Sequence, residues 1–458
     1  MKIIDKLVKQ VGLLLALALL SGCATSSPSK SSCCGCAADP AKVSARPFEA
    51  KPAHPYFAKF QLKKAPVYET GYLKPGDRLA ICGDSITEQK MYSRILETYL
   101  TVALPELNIS VRQYGWSGET ASGFLARMTN DCLRFKPTVA TTSYGMNDHR
   151  YRAYEPEIGR LYREQSTAIV EAFKSAGVRV VQGSPGCVGK NPNWSQDKKA
   201  TMEDLNLNLA ELRGIGIEIA QSEQVRFADV FWPMLQAGWL AQNRYQTNYA
   251  IAGGDGVHPG WAGHLVMAYA FLRGLGVPGD IGTFTVDLKA KKATVSPGHD
   301  LVSFDAGQLK ITSHRYPFCA AGDIDRDDQI RSGMSLVPFN REFNRLLLVV
   351  KNGKARSYRV TWGGESRIFS AQQLAQGVNL AEEFAVNPFS ESFARVDAAV
   401  KAKQDFETVQ IKQKFHGADG KADLEATVER TEKERLPLAE AVKAALVPVT
   451  HTIGIEPQ

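Results

Sequence analysis

The tetrapeptide Gly83-Asp84-Ser85-Ile86 closes a short apolar run, Leu79-Ala80-Ile81-Cys82, and precedes a stretch of helical character. A serine at a strand-to-helix junction meets outward-pointing backbone N–H groups and the positive end of a helix dipole, which is what a developing oxyanion requires in acyl transfer. Gly83 permits close backbone approach. Asp and Ser are also the commonest helix caps, so the junction alone fits a structural cap as well as a nucleophile. Three later stretches shift that balance: Tyr114-Gly115-Trp116-Ser117-Gly118-Glu119-Thr120, Tyr144-Gly145-Met146-Asn147-Asp148 and Gly254-Asp255-Gly256-Val257-His258-Pro259. Singly they read as a glycine turn, an Asn/Asp turn and a His-Pro loop entering a helix. Together they fall at the carboxyl ends of strands or just before the last helix, the edge at which open α/β sheets bind ligands.

The elements that must position these residues alternate. Strand character covers Arg78 to Cys82, Ile109 to Gln113, Val139 to Ser143, Val178 to Gly183 and Val225 to Asp229. Helical periodicity covers Met91 to Ala103, Ala121 to Phe135, Glu157 to Ala176, Lys198 to Glu223 and Gly260 to Leu275. Alternation of this length predicts an α/β domain, a five-stranded parallel sheet with helices on both faces, over residues 67–280. After Gly276 the texture changes to β-prone pieces: Thr283 to Leu288, Leu309 to Thr312, Leu346 to Val350 and Tyr358 to Trp362. Asn352-Gly353, between the last two, is a hairpin turn signal. Residues 281–458 therefore read as an accessory β-containing region with a helical tail from Ser390, within which Gly417 to Leu436 reads as a solvated helix or a partly disordered stretch.

With its four blocks in order, the stretch from Leu79 to Leu275 resembles the SGNH (GDSL) hydrolase superfamily, whose blocks supply Ser, Gly, Asn and an Asp-x-x-His pair. The resemblance implies a three-layer α/β/α, flavodoxin-like fold and a serine esterase that uses neither a metal nor a cofactor. By it Ser85 is the nucleophile, the backbone N–H groups of Ser85 and Gly118 with the Asn147 side-chain amide form the oxyanion hole, and Asp255 and His258 complete the triad. Two positions depart from the family pattern: Ile86 stands where its short name has Leu, and Gln113 stands where the second block often has Asn.

The chemistry is coherent without the family name. A serine hydroxyl is a poor nucleophile until a base takes its proton, and a neutral imidazole such as His258 suits that task near pH 7. An Asp three residues earlier can fold back onto the other ring nitrogen, fixing the tautomer and stabilising the imidazolium that forms. His54, His149, His264 and His314 lack a partner at informative spacing and read as incidental. Trp116, Trp194 and Trp261 flank the motif loops, where packing and stacking on a sugar ring are equally good readings.

Ahead of this domain, Lys2, Lys6 and Lys9 lead into an apolar run from Val11 to Leu20 and then Ser21-Gly22-Cys23. The run is shorter than the roughly 20 residues a spanning helix needs, and it reads as a secretory signal over residues 1–22. Leu20-Ser21-Gly22-Cys23 resembles a bacterial lipobox, which implies lipidation of Cys23 and anchoring to the cell envelope. Residues 23–66, rich in Ser, Ala, Pro and Lys, predict a flexible tether. Its Cys33-Cys34-Gly35-Cys36 cluster lacks a second ligand pair at zinc spacing, and Cys82, Cys132, Cys187 and Cys319 are too scattered for a disulfide framework. A net charge of +7 over 458 residues is too mild to argue for nucleic acid.

An envelope-anchored serine esterase with an accessory region suggests an extracytoplasmic polymer or nutrient as substrate, and SGNH enzymes resembling this one often remove acetyl groups from polysaccharides. The expectation is a carbohydrate O-acetyl esterase acting on an acetylated polysaccharide. The alternatives on the same triad are a lipase, lysophospholipase, thioesterase or acyltransferase. From a different class comes a glycan-binding surface lipoprotein that has merely inherited the site.

Overall fold

The computed structural model describes residues 47–458, Gln246 apart; the leader, Cys23 and the Cys33, Cys34 and Cys36 cluster lie outside the described residues. Five strands, β1 (Arg78–Gly83), β2 (Ser110–Gly115), β3 (Val139–Ser143), β4 (Arg179–Gly183) and β5 (Arg226–Ala228), form a parallel sheet in the order β2-β1-β3-β4-β5. Between them run α1 (Ser85–Glu88), α2 (Tyr92–Ala103), α3 (Ala121–Asp131), α4 (Pro156–Ser175) and α5 (Met202–Ser222), with α6 (Phe231–Arg244) and α7 (Trp261–Gly274) after β5. Each strand lies within two residues of the bounds read from the sequence.

Burial of both sheet faces explains why these strands are continuous apolar runs. Leu79 and Ile81 of β1 join Leu96 and Tyr99 of α2 and Leu265 of α7 in one core cluster. Ala80 and Cys82 face the other way, into a cluster with Phe124 of α3, Phe173 of α4 and Leu212 of α5. Successive side chains of a strand alternate across the sheet, so a single strand feeds both layers. Helix α6 was not legible: Phe231, Trp232, Met234 and Leu235 run together around Pro233 and hide any 3.6-residue period.

The expected tether to residue 66 requires correction. From Pro47 the chain packs against the domain, with Phe57 and Phe60 buried and Phe57 meeting Trp232 edge-on at 5.5 Å. Arg213 fastens the same segment by donating to Lys63 O at 2.8 Å and to the Glu49 carboxylate at 3.0 Å.

The C-terminal region adds two sheets. Strands β6 (Asp280–Asp287), β7 (Lys292–Val295), β8 (His299–Asp305) and β9 (Gln308–Ser313) are followed by helices α8 (Ile330–Leu336) and α9 (Phe339–Phe343). Next come β10 (Arg345–Lys351), β11 (Ser357–Trp362), β12 (Glu365–Ser370), α10 (Ala371–Gln376), β13 (Val378–Asn379) and α11 (Leu380–Glu383). Helices α12 (Ser390–Val409), α13 (Ala418–Ala422) and α14 (Leu424–Ala445) precede β14 (Val449–Pro457). The sheet orders are β13-β10-β6-β7 and β12-β11-β14-β9-β8.

The hairpin read at Asn352-Gly353 is not formed. Asn352 does turn the chain, at φ 56°, but β10 pairs in parallel with β6 whereas β11 joins the other sheet. Asn352 Nδ2 donates instead to Asp287 Oδ2 at 2.8 Å, tying the turn to the end of β6.

Gly417 to Leu436 is largely ordered helix, with Thr427, Thr431 and Arg435 buried. Its charged residues Glu425, Glu429, Arg430, Lys433 and Glu434 are exposed, as in a solvated helix, whereas Lys403 and Glu407 of the preceding α12 line a contact with β2, an edge strand of the parallel sheet. Lys403 Nζ donates to Val111 O at 2.7 Å, Gln113 N donates to Glu407 Oε2 at 3.2 Å, and Gly115 N is taken by the Gln113 side chain at 3.0 Å. Gln113 Nε2 in turn donates to Thr408 Oγ1 at 2.6 Å. Backbone groups that a further strand would have paired are thus met by side chains. Lys403 is itself held between Glu97 at 3.0 Å and Glu407 at 2.9 Å, as a buried charge requires.

Candidate active site

Ser85 opens α1 at the carboxyl end of β1, where Asp84 caps the turn by accepting from Ile86 N at 3.0 Å. Helix α1 spans only Ser85–Glu88, so the site gains the N–H groups of one turn and little of the macrodipole expected from the sequence. Gly115, at the end of β2, is required by close approach: a Cβ there would overlap the backbone of Thr87 and Glu88. Burial pushes the Asp84 carboxyl up to about 7, and the neighbouring Asp148 and Glu119 carboxylates add to the rise.

Three predicted residues form one hydrogen-bonded chain. Ser85 Oγ lies 2.8 Å from His258 Nε2, and His258 Nδ1 lies 2.7 Å from Asp255 Oδ2. The other Asp255 oxygen accepts from Val257 N at 2.8 Å and His258 N at 2.9 Å. Burial raises this carboxyl, but the backbone donors of His258 and Val257, together with the imidazole, outweigh it and hold Asp255 below the usual carboxylate range. An ionised Asp255 on Nδ1 selects the tautomer with the proton there, leaving Nε2 free to accept from Ser85 Oγ. Gly253 shapes this loop: its φ is +81°, and a Cβ would overlap the His258 carbonyl.

Gly118 and Asn147 occupy the neighbouring loops. Gly118 takes φ +75° with open space where a Cβ would stand, so its backbone conformation, not crowding, calls for glycine. Asn147 Nδ2 donates to the carbonyl of the next residue, Glu119, at 3.0 Å, and Asn147 Oδ1 accepts from Tyr151 Oη at 3.1 Å. Asp148 joins two blocks by accepting from Ala121 N at 3.0 Å and Gly145 N at 2.9 Å, which caps α3 from outside the helix. Burial pushes its carboxyl up to about 6. The Glu119 side chain is clamped by Arg127 Nε at 2.6 Å and Nη2 at 2.7 Å, and Tyr144 Oη donates to it at 3.0 Å.

Glu119, Asp148 and Tyr151 were passed over in the sequence, although the first two sit inside the motif blocks. Lys412 had no signal at all. It comes from the six-residue π-helical turn that continues α12, and its Nζ lies 2.7 Å from Glu88 Oε1, whose partner oxygen accepts from Ser117 N.

The remaining histidines have structural settings. His264 accepts from Tyr92 N at 3.2 Å through Nδ1 and meets Gln89 Oε1 at 3.0 Å through Nε2. His54 caps a short 3-10 turn by accepting from Tyr56 N, and His314 pairs with Asp300 at 2.6 Å on the surface. His149 is buried against Tyr151 at 4.6 Å between ring centroids. Of the three tryptophans, Trp116 packs under His416 and Trp261 under Arg94. Trp194 is 43% exposed and its ring centroid lies 5.7 Å from that of His258.

Residues 81–266 match the GDSL-like Lipase/Acylhydrolase family. An acetylxylan esterase of Geobacillus stearothermophilus is 26% identical over 219 residues, covering 44% of this chain and 94% of that protein. Among solved structures, a gut microbial diltiazem-metabolizing enzyme superposes over 86% of this chain and 100% of its own, with TM-score 0.67 and 20% identity, so the fold including the C-terminal sheets has a counterpart. The crystal structure of a catalytic mutant of an acetylxylan esterase from Geobacillus stearothermophilus matches 45% of this chain and 97% of its own at TM-score 0.37 and 24% identity.

Proposed function

Because the chain belongs to the GDSL-like lipase/acylhydrolase family of SGNH hydrolases and is thereby an ester-bond hydrolase, we propose that it is a carbohydrate O-acetyl esterase working through Ser85, His258 and Asp255. The observation that carries the catalytic reading is the unbroken chain from Ser85 Oγ to His258 Nε2 at 2.8 Å and from His258 Nδ1 to Asp255 Oδ2 at 2.7 Å. In acylation Ser85 Oγ attacks the ester carbonyl as its proton passes to His258 Nε2, and Asp255 stabilises the imidazolium. The oxyanion is met by the N–H groups of Ser85 and Gly118 and the amide of Asn147. Each such donor is worth about 3–4 kcal/mol of barrier. The C–O bond to the sugar then breaks and Nε2 returns the proton to the leaving oxygen. A water molecule, deprotonated by the same nitrogen, releases acetate from Ser85.

Two supports favour a sugar ester. The acetylxylan esterase relative is one. The other is Trp194, exposed beside the imidazole, where an indole face suits the apolar face of a pyranose. We place the enzyme outside the cytoplasm, anchored through lipid on Cys23, on the strength of the Leu20-Ser21-Gly22-Cys23 sequence. The test is acetate release from acetylated xylan, set against hydrolysis of a long-chain acyl ester, with Ser85→Ala as control. Release from xylan that vanishes in the variant is expected. Preference for the long chain would overturn the substrate assignment, and equal turnover by Ser85→Ala would overturn the triad.

A further inference from the structure

Asn147 has an amide with two N–H bonds. One is committed to the Glu119 carbonyl, so the other is left for the oxyanion. A primary amide can rotate by half a turn about its last bond. In the rotated form Asn147 Oδ1 would oppose the Glu119 carbonyl, two acceptors face to face, and the free N–H would leave the site. The residue that fastens the other end of the amide is Tyr151, whose hydroxyl donates to Asn147 Oδ1 at 3.1 Å.

The chain strains to deliver that hydroxyl. Arg150 and Tyr151 both adopt left-handed backbone, at φ 56° and 51°, and neither is a glycine or asparagine. Such a turn persists only where its surroundings fix it. Here three of its carbonyls are claimed by side chains from elsewhere: Asn208 Nδ2 donates to His149 O at 3.0 Å and Arg152 O at 2.9 Å, and Ser195 Oγ donates to Tyr151 O at 3.0 Å. The phenol ring stands between His149 at 4.6 Å and Trp194 at 6.0 Å. Burial pushes the Tyr151 hydroxyl up to about 12, so the donor proton stays in place across neutral pH.

We propose that Tyr151 is a positioning residue for the oxyanion donor: its hydroxyl holds the Asn147 amide with the free N–H toward the reaction and strengthens that donor by polarising the amide. The assignment rests on the reading of Asn147 as an oxyanion donor. It gives the strained turn that directly follows the Gly-x-Asn-Asp block a role at the reacting centre.

The experiment is a double-mutant cycle on the full chain with a short acyl ester, using Tyr151→Phe, Asn147→Ala and both together. Tyr151→Phe is expected to lower kcat by about tenfold with KM and thermal midpoint nearly unchanged, as for a group that acts mainly in the transition state. In the Asn147→Ala background the same substitution is expected to cost nothing further. Multiplying effects in the double variant, or a Tyr151→Phe enzyme with unchanged kcat beside a slow Asn147→Ala, would overturn the role of Tyr151 and leave the oxyanion reading standing. Asn147→Ala at full rate would overturn both.

Discussion

Lys412 reaches Glu88 at 2.7 Å across a sequence separation of 324 residues, and Glu88 in turn accepts from the backbone of Ser117. The last quarter of the chain therefore touches both the turn that Ser85 opens and the loop that carries Gly118. Burial raises the Glu88 carboxyl, but the Lys412 ammonium and the Ser117 donor hold it below its ordinary range. Lys412 Nζ also lies 5.0 Å from the centre of the Trp116 ring. An ion pair that is only partly shielded from water stabilises the fold by about 1 kcal/mol. Its larger effect is on geometry, because a misplacement of about 1 Å near a reacting centre can cost about a hundredfold in rate. Lys412→Met is thus expected to lower kcat/KM several-fold while shifting the thermal midpoint little, and Glu88→Gln, which keeps an acceptor for Ser117 N, to be milder. A Lys412→Met enzyme with a large drop in thermal midpoint and unaltered kinetics would refute this.

For the triad, Ser85→Ala is expected to abolish labelling by a fluorophosphonate with the fold intact. His258→Ala is expected to lower kcat on the order of 10^4-fold or more and to remove the acid limb of the kcat/KM profile, with Asp255→Asn milder. The measurement is steady-state kinetics over pH 5–9. Near-normal activity in His258→Ala with its acid limb retained would end the assignment.

Stability should respond to pH through His264. Burial, aided by the nearby His258, pushes its imidazole down to about 3. Between that value and about 6.5 the unfolded chain binds a proton that the folded one refuses, so this contribution falls as pH falls. Asp84 and Asp148, raised to about 7 and about 6, act oppositely, because the folded form keeps protons that the unfolded chain releases above about 4. Comparing wild type with His264→Asn isolates the histidine. The asparagine is expected to cost stability at pH 7, and the gap to narrow by about 2 kcal/mol on going to pH 5. Parallel stability curves from denaturant titrations would contradict the argument.

Gly253 offers a steric test. Gly253→Ala forces a side chain into left-handed backbone and against the His258 carbonyl. The loop that holds Asp255 and His258 must then shift, and activity is expected to fall about a hundredfold or more, with a destabilisation of about 1–3 kcal/mol. Wild-type kcat in a folded Gly253→Ala protein would show that the loop tolerates the change.

Much of this was legible because its physics is local. Strands buried on both faces leave continuous apolar runs, which is why Val139–Ser143 was found to the residue. Gly118, in the loop after β2, and Asp255, in the loop before α7, are marked by glycine-rich motif blocks that occur in order along the chain. Other features are decided by partners distant in sequence. Lys403 and Glu407 lie in the charged helical tail read from Ser390, where nothing in the sequence tells that β2 lies beneath them. Phe57 and Phe60 stand too close to a Ser/Pro-rich stretch to declare themselves core. Arg150 and Tyr151 adopt left-handed backbone without the residues that usually signal it, so nothing in their types marks the turn.

The side chains of α12 that occupy the outer face of β2 have a bearing on how this protein can be divided. The stretch that matches the hydrolase family ends at residue 266, yet Val111 O and Gln113 N find their partners on Lys403 and Glu407. The family boundary is therefore not a folding boundary. A chain trimmed to its recognisable hydrolase would keep Ser85, Asp255 and His258 and lose the cover of its own sheet edge, turning an intramolecular seal into an adhesive strip for a second copy. Expressed alone, that fragment is expected to hold the proposed triad beside an uncovered sheet edge and to self-associate through it.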